Sequence, residues 1–182
     1  MPQHGAIFEV YGRRRARSDG RAFGNTEVKD MKPQIPQPLT TEHQKLHRRL
    51  DAALDAGGEI ADATRRLIDV MHPHFVREEE IAMPPLGLLG SLSRGEYDPE
   101  MDRVLEMTDA LGAELPVMLK EHEAIREAAA SLSRAAESAG RNDIVDFCAD
   151  LGVHAATEEE VLYPAALLVG DIVRRRREND AD

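Results

Sequence analysis

The sequence predicts an all-α protein, an up-down-up-down four-helix bundle, and three observations support this fold class. The composition favours strong helix formers, since aromatic residues make up only 4% of the chain and tryptophan is absent. Four stretches repeat apolar residues at helical spacing and are joined by short connections, and the second half repeats the pattern of the first. With 42% hydrophobic residues among 182, the chain can form one domain with a substantial core.

Both ends of the chain are expected to lie outside the bundle. Residues 1–38 mix glycine, arginine and proline without sustained periodicity and end in PQIPQP, which is typical of a flexible N-terminal arm. The bundle is predicted over residues 39–177, and residues 178–182 form a short polar C-terminal tail.

The first two helices are bounded by turn-forming residues. After Thr40 and Thr41, which offer an N-cap, leucines recur every four residues until Gly57 stops the pattern. Helix two is predicted over residues 59–83, and the two prolines that follow end it. Pro73 lies inside this segment, so a kink is predicted there.

The last two helices are also bounded by residues that start or end helices. Asp98 is a predicted N-cap with a proline directly after it, and the apolar stripe of helix three continues to about Gly140 with a second expected kink at Pro116. Helix four is predicted from about Asn142 to just before Pro164. The four helices are expected to be of similar length.

An internal repeat relates the two halves. The segment HFVREEEIAMPPLGLLG, residues 74–90, returns 80 positions later as HAATEEEVLYPAALLVG, and EHQKL at 42–46 returns 79 positions later as EHEAI. The chain therefore consists of two related helical hairpins. Each hairpin carries one histidine on its first helix and a His-x-x-x-Glu motif on its second.

Helical geometry directs these side chains into the bundle. Residues four apart lie on one face of a helix, so His74 is a neighbour of Glu78, as His154 is of Glu158, and both pairs are in phase with apolar residues. An unpaired buried charge costs several kcal/mol, so a pair of metal ions is expected to neutralise the group. Imidazole and carboxylate without thiolate suit iron or manganese and then zinc. The candidate ligands are His43, His74, Glu78, His122, His154 and Glu158.

The alternative is a bundle without metal, in which the histidines have structural roles. The other glutamates of the two triplets are predicted to be solvated or to support the ligands from outside: Glu79, Glu80, Glu159 and Glu160. Tyr163 and Met83 occupy equivalent places in the repeat and are expected to fill the core.

The order of one His, His-x-x-x-Glu, one His and His-x-x-x-Glu over about residues 40–170 resembles the hemerythrin-like proteins of the HHE cation-binding family. The resemblance implies a four-helix bundle around two iron ions that carboxylates and an oxo or hydroxo group bridge. It also implies that His43 and His74 hold one iron, that His122 and His154 hold the other, and that Glu78 and Glu158 bridge them.

The sequence departs from the respiratory hemerythrins at one position. Those proteins carry a further histidine four residues after the one on the third helix, where this chain has Arg126. Helix one instead has His47 four residues after His43, on the same face. His47 either ligates, supports a ligand from outside, or lies at the edge of the bundle.

The resemblance implies three functional classes, and whether the protein is an enzyme stays open. The first is a non-enzymatic di-iron module that binds or senses O2, NO or iron. The second is a di-iron enzyme for peroxide removal or for repair of nitrosative or oxidative damage. The third is a structural bundle that binds zinc or no metal. Cys148 is the only cysteine and lies in helix four, so the cysteine-containing domain that some repair relatives carry is absent, which counts against repair.

Charge and composition exclude several partners. The net charge of −11 disfavours nucleic acid, and no long apolar run predicts a signal peptide or a membrane span. Cys148 cannot form an intramolecular disulfide and is expected to be a buried core thiol. The protein is therefore expected to be cytoplasmic. The family resemblance implies a small diatomic ligand or peroxide as its partner, and the oligomeric state is not predicted.

Overall fold

The computed structural model describes residues 32–180, and within that range it contains helices and turns but no strand. Residues 1–31 of the predicted N-terminal arm lie outside the described residues, as do residues 181 and 182 of the predicted tail. The helices are α1 (Gln37–Leu54), α2 (Gly58–Arg77), the short α3 (Leu89–Ser93), α4 (Val104–Ser138), α5 (Asn142–Thr157) and α6 (Tyr163–Asp180). Two π-helical turns, Glu78–Ala82 and Glu158–Leu162, and two 3-10 turns, Pro84–Leu88 and Pro99–Arg103, lie between these helices.

The long helices form the predicted up-down-up-down four-helix bundle, so the fold class is confirmed. Its core consists of apolar clusters along the bundle axis. The first cluster contains Leu67 and Phe75, and the second contains Met118 and Tyr163. The histidines and glutamates of the repeat lie between these clusters along the helices, so apolar layers close off a polar layer from both sides.

The first helix begins earlier than predicted. Its first residue is Gln37, preceded by Pro36, and Pro38 lies in the first turn, where its missing N–H costs no hydrogen bond. The hydroxyl of Thr41 donates to the carbonyl of Gln37 at 2.9 Å, inside the helix. The prediction that Thr40 or Thr41 caps this helix was therefore wrong.

The third long helix begins as predicted. The carboxylate of Asp98 accepts a hydrogen bond from the N–H of Glu100 at 2.8 Å, which confirms the N-cap, and Pro99 occupies the first turn. α4 then runs for 35 residues, against 18 in α1, so the expectation of similar lengths was wrong. Both α2 and α4 continue through their internal prolines, Pro73 and Pro116.

The last helix does not end at Pro164, contrary to the prediction. The chain passes through the second π-helical turn into α6, which begins at Tyr163 and reaches Asp180. A β-carbon on Gly170 of α6 would lie 2.2 Å from the Thr108 hydroxyl oxygen on α4. Glycine therefore allows these two helices to pack closely. Within residues 32–180 we find no helix that combines the length and apolar character needed to cross a membrane.

Candidate metal centre

Each of the four bundle helices contributes one histidine to a single buried cluster. His43 comes from α1, His74 from α2, His122 from α4 and His154 from α5, and none of the four is more than 6% exposed. Two glutamates, Glu78 and Glu158, complete the cluster and are at most 1% exposed. The structure therefore brings together six of the seven candidate site residues.

Both glutamates stand at the first position of a π-helical turn. The N–H of Met83 donates to the carbonyl of Glu78 at 2.9 Å, five residues back, and the N–H of Tyr163 does the same to Glu158. A proline follows each turn and has no N–H to continue regular helical bonding. The internal repeat thus extends to a rare backbone feature that is often found at functional sites.

The ligand atoms form two groups that share both glutamates. Within each group the atoms lie within 4.8 Å of one another. Position A is formed by His43, His154, Glu78 and Glu158, and position B by His74, His122, Glu78 and Glu158.

Glu78 directs one carboxylate oxygen towards each position. Its Oε2 lies 3.7 Å from Nε2 of His43, on the side of position A. Its Oε1 lies 3.5 Å from Nε2 of His74, on the side of position B. A carboxylate in this orientation can bridge two cations.

Glu158 divides its two oxygens in the same way. Its Oε1 lies 2.9 Å from Nε2 of His154, at position A, although the two atoms are not aligned for a hydrogen bond. Its Oε2 lies 3.4 Å from Nε2 of His122, at position B. Both glutamates therefore direct one oxygen to each position, an arrangement that would bridge two bound ions.

The histidines do not pair as the family resemblance implied. His43 was expected to share an ion with His74, and His122 with His154, whereas the structure groups His43 with His154 and His74 with His122. The two hairpins pack face to face, so the first helix of each lies against the second helix of the other. Each position therefore takes one histidine from each hairpin.

Each of the four cluster histidines is hydrogen-bonded to a further glutamate through its outer nitrogen. The Nδ1 atoms contact Glu79 from His43 (3.3 Å), Glu121 from His74 (2.9 Å), Glu159 from His122 (2.8 Å) and Glu42 from His154 (3.2 Å). A carboxylate only accepts hydrogen bonds, so each Nδ1 carries a hydrogen, and each Nε2 can present a lone pair to a metal ion once it has lost any proton of its own. Without metal, Nε2 of His74 and Nε2 of His122 lie 2.7 Å apart and share a hydrogen bond, so one of them is protonated. This arrangement is the usual support for a metal-bound imidazole.

Two of these supporting glutamates were predicted and two were missed. Glu79 and Glu159 are the middle residues of the triplets and support ligands from outside, whereas Glu80 and Glu160 are exposed. The others are Glu42 and Glu121, each directly before the histidine of a first helix. The recurrence of Glu-His in EHQKL and EHEAI was the signal that could have found them.

The buried polar atoms of the centre are suited to a cation. Within the described residues, four atoms that face position A lack a hydrogen-bond partner: Nε2 of His43, Nε2 of His154, Oε2 of Glu78 and Oε1 of Glu158. Such atoms are costly to bury unless they are bonded, and coordination would satisfy all four at once. Nitrogen and oxygen donors without thiolate suit iron, manganese or zinc.

The electrostatics of the cluster keep negative charge at its middle. Burial alone would raise the pKa of Glu158, but the imidazoles of His122, His154 and His43 outweigh burial and hold that pKa well below its usual range. Burial alone would lower the pKa of His43, yet Glu158 and other carboxylates raise it to about 9. Without metal, protons are the cations that balance these carboxylates.

Tyr163 is a part of the centre that sequence reasoning assigned to the core. Its hydroxyl donates to Oε1 of Glu78 at 2.5 Å and lies 3.3 Å from Nε2 of His122. Burial raises the pKa of Tyr163, and the charges of Glu78 and Glu158 raise it further, so the phenol keeps its proton. Tyr163 and Met83 are both buried in the core as predicted, but the contacts of the Tyr163 hydroxyl with the centre were not expected.

His47 and Arg126, the two residues at which the sequence departs from the respiratory hemerythrins, both lie near the cluster. His47 belongs to neither group; its half-buried ring stands edge-on to Phe75, which stacks on His43 with ring centroids 4.1 Å apart. Its coordination stays a prediction. Arg126 donates to Oε1 of Glu159 at 2.8 Å and so holds the glutamate that supports His122.

A helical bundle with this buried His/Glu cluster defines the class of metal-binding four-helix proteins. The family model described as the hemerythrin HHE cation binding domain matches residues 35–166, so the chain belongs to that family. No match was found among the curated proteins, and none among the solved structures.

Proposed function

We propose that the protein is a non-haem di-iron protein that binds or senses O2, NO or iron through its His/Glu centre. The observation that carries this proposal is the double carboxylate bridge, in which Glu78 and Glu158 each direct one oxygen to position A and one to position B. The ions would be held by His43, His154, His74, His122 and the two shared glutamates, with an oxo or hydroxo bridge between them.

The chain's own residues hold this donor set ready. When the imidazoles have lost their protons, the two carboxylates leave the centre with a net negative charge that two cations would offset, and four imidazole nitrogens are available as ligands. When bound, the iron pair would supply a redox-active site that takes a small diatomic ligand. The apolar layers on either side exclude water and confine access to small molecules.

Metal analysis tests the proposal most directly. The full chain, purified under iron-replete conditions, is expected to retain about two irons, consistent with its donor set, and to show a visible absorption band that O2 or azide changes. A Glu78→Ala, Glu158→Ala double variant should lose the iron. The matched control changes the exposed members of the same triplets, Glu80→Ala and Glu160→Ala, and should retain it. A wild-type chain that binds zinc or manganese in preference to iron contradicts the iron assignment.

A second candidate function is a di-iron enzyme that removes peroxide or repairs oxidative or nitrosative damage. The position of Tyr163 favours it, because its buried phenol keeps its proton and places an O–H hydrogen-bond donor next to His122 and Glu78, where it would stabilise negative charge on a bound oxygen species. Oxygen evolution from peroxide, lowered in Tyr163→Phe at unchanged iron content, would support the enzyme. A reversible spectral change without turnover would support binding or sensing.

The proposed partners follow from charge and site size. We propose a small diatomic molecule or peroxide as the ligand, and neither nucleic acid nor membrane as a partner, since the net charge is −11. We also propose a cytoplasmic location, where the free thiol of Cys148 would stay reduced.

A further inference from the structure

The two metal positions differ in the charge around them, although the internal repeat gives them the same ligand types. At position B both supporting glutamates are paired with arginines. Arg77 pairs with Glu121, and Nη1 of Arg126 lies 2.8 Å from Oε1 of Glu159. Each guanidinium offsets part of the charge of the carboxylate that accepts the hydrogen bond from a position B imidazole, although Arg77 is shared with Glu114, whose Oε2 lies 2.8 Å from Nε of Arg77.

The supporting glutamates of position A lack such partners. Within residues 32–180, neither Glu79 nor Glu42 forms an ion pair with arginine or lysine; each pairs only with the histidine that it supports. His47 also lies on this side, next to the Phe75 ring that stacks on His43. Among the described residues, no arginine or lysine is therefore paired with the outer carboxylates of position A to offset their charge.

The two oxygens of the Glu78 carboxylate also differ, and this difference again favours position A as the stronger metal site. Tyr163 donates its hydroxyl hydrogen to Oε1, the oxygen that faces position B. Among the described residues, Oε2, which faces position A, receives no hydrogen bond. A donated hydrogen bond withdraws electron density from an oxygen and makes it a weaker ligand.

From these two asymmetries we propose that position A takes up the first metal ion and holds it more tightly, and that position B fills second. The proposal rests on the proposed function, since it requires that both positions bind metal. The arginines of position B are partly exposed, at 30% and 42%, so solvent screens their charge. Supporting groups of this kind change metal affinity by about 10-fold or more, which is the difference expected between the two steps.

The test is a calorimetric titration of the metal-stripped full chain with zinc, which this donor set accepts and which has no redox chemistry. Two binding steps are expected, separated by about 10-fold in affinity. His154→Ala, which removes a ligand of position A, should abolish the tighter step. His122→Ala removes the matching ligand of position B and should leave the tighter step intact. Circular dichroism checks that both variants keep their helices.

A second variant changes the charge at position B without removing a ligand. Arg126→Leu is expected to tighten the second step several-fold and leave the first unchanged. Its control is Arg134→Leu, an exposed arginine of the same helix that bonds Ser131, and it should change neither step. If Arg126 only positions Glu159, the second step weakens instead, and the electrostatic inference is wrong.

The outcomes separate this inference from the proposed function. Equal affinities in wild type, or a tighter step that survives in His154→Ala and disappears in His122→Ala, overturn the order of filling while leaving a two-metal centre in place. A chain that takes up no zinc in either step and retains no iron on purification rejects both the metal centre and this inference.

Discussion

Nδ1 of His122 lies 2.8 Å from Oε1 of Glu159. Because the carboxylate can only accept, this contact fixes the tautomer of the imidazole and turns its Nε2 lone pair towards position B. The side chain of Glu159 is 25% exposed, so it lies at the boundary between the buried ligands and the solvent. The centre thus has an outer layer of carboxylates whose removal can be tested without touching a ligand.

Glu159→Gln is expected to lower metal affinity by about 10- to 100-fold, because the amide is a poorer acceptor for the imidazole N–H and carries no charge. Glu160→Gln is the matched control, since this neighbour is exposed and should bind metal like the wild type. Metal content after dialysis against a chelator measures both. Equal retention by the two variants would show that the outer hydrogen bond does not support the ligand.

The role of His47 can be settled by comparing two alanine variants. His43→Ala is expected to lose metal, since Nε2 of His43 faces both shared glutamates at position A. His47→Ala is expected to retain metal, because His47 is in neither ligand group and Phe75 contacts both rings. Metal analysis of the purified variants decides; equal loss would make His47 a ligand.

The metal-stripped protein is expected to lose stability as pH rises from about 6.5 to about 9. Burial alone would lower the pKa of His43, but Glu158 and Glu79 raise it to about 9, and the pKa values of His74 and His154 are raised too. A folded pKa above the unfolded value near 6.5 gives stability that is complete below that value and lost through the folded pKa. Urea unfolding at several pH values measures the effect. Stability that rises over this range would contradict the assignment of protonated histidines.

Tyr163→Phe is expected to lower the free energy of unfolding of the metal-stripped protein by about 1–3 kcal/mol, because it removes the O–H donor of the buried Glu78 carboxylate. Tyr97→Phe is the control, since Tyr97 is half-buried and donates to Asp102 at 2.9 Å. That variant should lose about 1 kcal/mol or less. If both lose the same amount, the Tyr163 bond contributes no more than an ordinary hydrogen bond.

Gly170→Ala is expected to destabilise the protein by about 1–3 kcal/mol, because its β-carbon would lie 2.2 Å from the Thr108 hydroxyl oxygen and push α6 away from α4. Gly152→Ala offers a matched control within α5, since no atom lies within 4 Å of its added β-carbon. That change should stabilise by about 0.5–1 kcal/mol through helix propensity. Thermal unfolding compares the two variants, and changes of opposite sign in the free energy of unfolding would confirm the prediction.

Much of the centre follows from local sequence pattern. The spacing of His74 and Glu78, in phase with apolar residues, determines which face of the helix they share, whatever the neighbouring helices do. Their burial confirms that inference. The pairing of histidines across the centre does not follow, because it depends on how the two hairpins face each other, and the order of residues along one chain does not encode that choice.

Tyr163 shows where local pattern fails. In a regular α-helix a residue five after Glu158 lies about 140° around the axis, away from the ligand face. The π-helical turn over Glu158–Leu162 contains an extra residue per hydrogen-bonded turn, which rotates Tyr163 back towards the centre. The extra residue leaves no mark in the apolar pattern before it. Only the proline that follows points to irregular bonding.

Because each position takes one histidine from each hairpin, metal binding depends on the assembly of both hairpins. Position A combines His43 of the first hairpin with His154 of the second, and position B combines His74 with His122. A half-made or nicked chain that presents one hairpin offers at most one imidazole to either ion. Retention of metal would therefore report that both halves have docked, because each bound ion would link the two hairpins.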